Sequence, residues 1–143
     1  MMAFDTDVLT EILLGNSTYV ARAATIPPHE QAVPVIVVEE IMRGRLQVIR
    51  QAEAGRAKVS LSYAYDLFEQ TLRDVQQVTV LSYTPQADTL YRQWRQQRLR
   101  VATHDLRIAA ICVTYVATLI ARNRRDFTRF LGYASNFGNE HVG

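Results

Sequence analysis

The chain has 143 residues, 48% of them hydrophobic, which suits one domain of ordinary size with a sizeable core. No apolar run reaches the ~18 residues that span a membrane, and the opening "MMAFDTDV" has neither the basic nor the apolar region of a signal peptide. A net charge of +2 is too small to declare a polyanion binder by itself, and the single cysteine, Cys112, excludes an internal disulfide; a soluble, cytoplasmic protein is expected.

Taken in chain order, "MAFDT" reads as a short buried strand that runs into a helix near 8–14. "AVPVIVV" has the branched, apolar character of a strand buried on both faces, with Pro34 at or before its start. From Glu39, "EEIMRGRLQVIRQAEAG" predicts a helix with Gly55 as its stop. Ser60 is placed to cap the next helix, in which Leu61, Ala64, Tyr65, Phe68, Leu72 and Val75 recur at helical spacing. "VTVLSY" is a strand, and threonine-proline at 84–85 opens a helix whose Ala87, Leu90, Tyr91 and Trp94 share a face. "THDLRIAAICVTYV" is a helix, "ATLIA" a strand, and "RRDFTRFLG" starts with a helical turn. Strands alternating with helices predict a single α/β domain over 1–143, a three-layer sandwich around a mainly parallel sheet of four or five strands.

Such sheets bind ligands outside the carboxyl ends of their strands, which makes the acidic positions informative. Asp5 and Asp7 lie at the end of the first strand, Glu39 and Glu40 just after "PVIVV", Asp105 at a helix start, and Asp126 shortly after "ATLIA". Singly, each has an ordinary explanation. Asp7 or Thr6 could cap the first helix, Asp105 the later one, and Glu39 or Glu40 could favour a helix N-terminus through its dipole. Together they would be costly. Two carboxylates about 4 Å apart repel by about 4 kcal/mol at an effective dielectric near 20. Four in one cleft would hold protons or bind a hard cation such as Mg²⁺ or Mn²⁺.

The set "FDTDVLTEIL", "VVEEIMRG" and "THDLRIAAICVTYVATLIARNRRDF" resembles the PIN-domain ribonucleases, and within them the VapC-type toxins of prokaryotic toxin–antitoxin systems. The resemblance runs from Phe4 to about Phe130. It implies a metal-dependent endoribonuclease that hydrolyses RNA phosphodiesters, with transfer or ribosomal RNA as substrate. One or two Mg²⁺ or Mn²⁺ ions would be held by Asp5, Glu40, Asp105 and Asp126, with Asp7 and Asn123 supporting. It also implies a cognate antitoxin, with a DNA-binding head and a tail that blocks the cleft, and a homodimer. The sequence departs from the family at "YV", 115–116, where a small residue or glycine is usual, and in the tail "LGYASNFGNEHVG".

Other features take ordinary readings or secondary roles. Arg107 and Arg122 flank the proposed rim and are candidates for RNA-backbone contacts. Lys58 is the only lysine, an arginine bias that suits phosphate recognition and that a G+C-rich genome would equally produce. Trp94 and Cys112 read as core. His104 adjoins Asp105, but neighbours on a helix point in different directions, which counts against a direct role. Tyr63, Tyr65 and Phe68 could supply an interface or belong to the core. Two alternatives are a catalytically inactive PIN-like binding module and a haloacid-dehalogenase-like phosphotransferase with Asp5 as nucleophile and Asp7 as acid/base. The latter wants a lysine beside the phosphate, and Lys58 lies between two helices.

Overall fold

The computed structural model describes residues 1–122. Asn123, Asp126 and the helical turn expected in "RRDFTRFLG" lie outside the described residues. The elements are β1 (Met2–Phe4), α1 (Thr6–Leu13), α2 (Ser17–Ala23), a 3₁₀ turn (Pro28–Glu30), β2 (Gln31–Pro34), α3 (Val35–Glu53), α4 (Leu61–Gln76), β3 (Thr79–Leu81), α5 (Pro85–Gln96), α6 (Thr103–Thr114) and β4 (Thr118–Ile120).

Among the described residues all strand pairs are parallel, in the order β3-β2-β1-β4. Ala3 pairs with Ala32 on one side and Leu119 on the other, so β1 is central and its residues Ala3 and Phe4 are buried. The first two crossovers step toward β3 and the last returns across the sheet to β4. With right-handed crossovers this places α1–α4 over one face and α5–α6 over the other, the three-layer α/β sandwich expected. α6 is apolar nearly all round, with Leu106 and the run from Ile108 to Cys112 fully buried, and Trp94 of α5 is 2% exposed. The core readings of Trp94 and Cys112 therefore hold.

One element differs from its sequence reading. "AVPVIVV" is a strand only to Pro34; Val35 to Val38 form the first turn of α3. Pro34, at φ −60°, is the N-cap, and its missing N–H costs nothing at a strand end that becomes a helix start. The branched run is helical because Ile36, Val37, Ile41 and Ile49 are buried along α3, and that burial outweighs β propensity. α2 was not anticipated. It is capped by Asn16, which accepts from the Thr18 amide at 3.1 Å, and it buries Tyr19 and Ala23, one turn apart.

The caps at Ser60 and Thr84 form as expected, accepting from the amides of Tyr63 at 3.2 Å and Ala87 at 3.1 Å. α6 ends with a paired closure, Val116 N–H to Val113 O at 3.1 Å and Ala117 N–H to Cys112 O at 2.8 Å. This arrangement puts Val116 at φ +53°, the position that usually carries glycine. The bulky "YV" pair does not displace β4, which stays in register with β1.

Candidate active site

The site is assembled at the carboxyl ends of β1 and β4. The Asp5 amide donates to Ile120 O at 3.0 Å, continuing the ladder by one residue, and the chain then turns into α1. Asp5 is itself the N-cap of that helix, its carboxylate accepting from the Thr6 amide at 2.8 Å. Capping thus falls to Asp5 rather than to Thr6 or Asp7. Asp7 lies in the first turn of α1 and is exposed.

Asp5 is only 6% exposed, and burial pushes its carboxyl up to about 7. The Thr6 amide works against that rise, while the charges of Asp105, Asp7 and Glu40 add to it. The fold therefore brings Asp5, Asp7, Glu40 and Asp105 into one electrostatic neighbourhood from three separate parts of the chain.

Glu40 does not follow a strand directly; it sits in the second turn of α3, beyond the reach of the helix-terminal dipole. The Thr6 hydroxyl donates to Glu40 Oε1 at 3.1 Å. His104 also lies nearby, with Nδ1 3.8 Å from Glu40 Oε1 and Nε2 3.6 Å from Glu39 Oε1. Asp105 lies in the first turn of α6 but is not its cap. That position is Ala102, which offers no side-chain oxygen.

Thr6 and His104 are the site residues that the sequence reading missed or discounted. Both are sequence neighbours of an acid, and the usable signal was that adjacency. Adjacent side chains on α6 do diverge, and His104 diverges toward α3, where Glu39 and Glu40 lie.

The two arginines fall apart from each other. Arg122 lies two residues past the end of β4, is 58% exposed, and stands 3.7 Å from Glu11 of α1. The guanidinium of Arg107 lies over the Tyr91 ring at 4.8 Å and the Tyr83 ring at 5.9 Å. Its Nε is buried without a hydrogen-bond partner among the described residues. Burial and a bond to Asp88 hold the Tyr83 hydroxyl up to about 12.

Asp5, Glu40 and Asp105 offer only oxygen donors, the set that suits Mg²⁺ or Mn²⁺ rather than a softer metal. Among the described residues, no three His, Cys, Asp or Glu side chains are close enough to form a ready-made coordination shell.

No family model matches the chain. A curated relative, "Ribonuclease VapC" of Rickettsia bellii (strain RML369-C), is 29% identical over 94 residues, which is 66% of this chain and 66% of the relative. Among solved structures, FitAcB from Neisseria gonorrhoeae superposes with a TM-score of 0.76 at 18% identity, covering 100% of this chain and 97% of that one. VapBC2 from Rickettsia felis, bound to a DNA fragment from its promoter, superposes with a TM-score of 0.72 at 17% identity, covering 99% and 98%. The chain has the PIN fold and is similar, in sequence and in architecture, to the VapC-type toxins.

Proposed function

We propose that the chain is a metal-dependent endoribonuclease, the toxin half of a toxin–antitoxin pair. The observation that carries this reading is the buried Asp5 carboxyl at the end of the central strand, with the charges of Asp7, Glu40 and Asp105 all acting on it. Carboxylates whose charges act on one another in this way favour a divalent cation, and the similarity to a ribonuclease of the VapC type points to RNA as the substrate.

Asp5, Glu40 and Asp105 would hold Mg²⁺ or Mn²⁺ together with Asp126. A bound ion supplies positive charge at the phosphodiester and lowers the pKa of a coordinated water. The chain's own groups prepare that site. Thr6 holds Glu40 through its hydroxyl, His104 stands beside the same carboxylate oxygen, and Asp7 and Asn123 would support the ligands. Arg122 pairs with Glu11 at the surface, where such pairs are weak, so its guanidinium can exchange the carboxylate for an RNA phosphate. Arg107, two residues beyond Asp105 on α6, is the second phosphate-contacting candidate.

The partners in this reading are transfer or ribosomal RNA and a cognate antitoxin, and the working unit is a homodimer in the cytoplasm. The homodimer reading draws on α4, whose Leu61, Tyr65 and Leu72 form an exposed apolar stripe. Tyr63 is exposed on the opposite side of that helix, so it does not share the stripe with Tyr65.

The test is cleavage of total bacterial RNA by the purified chain, with Mg²⁺ or Mn²⁺ and with chelator. Asp5→Asn and Asp105→Asn proteins of verified fold run alongside. Discrete fragments that need metal and vanish in both variants are expected. A folded, metal-loaded protein that leaves the RNA intact would overturn the reading.

A further inference from the structure

The outer face of α3 carries a groove of about 650 Å³, lined by Glu39, Met42, Arg43, Leu46, Gln47 and Arg50. Those positions recur at helical spacing, so the groove follows the helix for about 16 Å at 1.5 Å per residue. One end opens at Glu39, which meets His104 at 3.6 Å, and His104 meets Glu40 at 3.8 Å. Glu39 thus links this end of the groove to the neighbourhood of the acidic centre. The groove leads away from the acids toward positive charge.

Its chemistry suits a polynucleotide better than a protein. Among the described residues Leu46, 43% exposed, and the half-buried Met42 are the apolar side chains of the lining. Arg43 is paired with Glu39 at 2.8 Å, but both are exposed, so the pair is weak and the guanidinium can be recruited by a phosphate. Arg50 is exposed and forms no ion pair among the described residues. Guanidinium and carboxamide groups on one face are the donors that contact phosphate and sugar, while Met42 and Leu46 give an apolar floor for a base.

We propose that this groove is the path of the RNA strand flanking the scissile bond, with Arg43 and Arg50 holding successive backbone positions. The proposal rests on the nuclease reading above.

The experiment measures binding of a fluorescent single-stranded RNA of about 16 nucleotides, in Mg²⁺, on an Asp105→Asn background that keeps the strand intact. Arg43→Ala/Arg50→Ala is compared with Arg73→Ala, which removes an exposed arginine of α4. The double variant should weaken binding roughly tenfold and lower the salt slope by about 0.7 for each arginine, with Arg73→Ala at the parent value. Equal affinity and slope in all three proteins, from a parent chain that does cleave RNA, would overturn the groove and leave the nuclease standing. A double variant that instead changes oligomeric state in sedimentation, with RNA binding unchanged, would make this face a contact between copies and overturn it too. A parent that neither binds nor cleaves RNA would remove the nuclease reading and this proposal together.

Discussion

The Thr6 hydroxyl donates to Glu40 at 3.1 Å across 34 residues of sequence, tying the start of α1 to the second turn of α3. The same residue's amide donates to Asp5 at 2.8 Å. Thr6 therefore fixes two carboxylates with two donors, which sets their separation before any ligand arrives.

Replacing Thr6 by valine keeps its shape and removes the hydroxyl. The Asp5 cap survives, because it uses the backbone amide. Metal affinity should fall 10–100-fold, the usual cost of losing a group that orients a ligand. Titration of Mn²⁺ against the folded variant by calorimetry or electron paramagnetic resonance checks this, and an unchanged affinity would show that Glu40 needs no such support.

Asp5 governs how stability depends on pH. Its folded pKa, about 7, lies above the ordinary 3.8, so the folded state binds the proton more tightly than the unfolded one. In the metal-free protein the contribution of Asp5 is therefore fully present below about pH 4 and is lost as pH rises toward and through 7. The loss amounts to at most roughly 4 kcal/mol. Asp5→Asn retains a capping side chain and removes the charge. In chelator at pH 8 it should melt above the parent, and its stability should vary less between pH 4 and 8. Thermal melts across that range decide the matter.

Val116 closes α6 in the left-handed region at φ +53° and is 67% exposed, so its side chain contributes strain and little packing. Glycine there removes a penalty of about 1–2 kcal/mol and returns part of it as unfolded-chain entropy. A net gain of roughly 0.5–1 kcal/mol for Val116→Gly is expected in urea denaturation. A destabilised variant would mean that the turn is held by side-chain contacts instead.

Trp94 is fully enclosed beneath α6, and truncation to alanine should cost about 3–5 kcal/mol. The alternative use of this ring, as an exposed platform for a base, predicts a small stability change and a large loss of RNA binding. Urea denaturation and RNA binding measured on the same variant separate the two.

The sequence by itself determined the architecture and most of the acid positions. Capping at Ser60 and Thr84, the apolar periodicity of α4 to α6, and the alternation of strands and helices are local signals, and local chemistry reads them correctly. Asp5 was identifiable for a similar reason. A carboxylate after a short apolar strand in a parallel sheet falls at the ligand-binding edge.

Only the tertiary structure decided what depends on burial and on contacts between distant segments. The branched run 35–38 has strand propensity, yet packing of Ile36, Val37, Ile41 and Ile49 makes it helical and moves Glu40 from a strand end into a helix. The roles of Thr6 and His104 exist only because α1, α3 and α6 meet at one rim, an outcome no spacing encodes. The high pKa of Asp5 has the same origin. It comes first from exclusion of water and then from charges up to 100 residues away in the chain, both set by the fold rather than by the residue's neighbours in sequence.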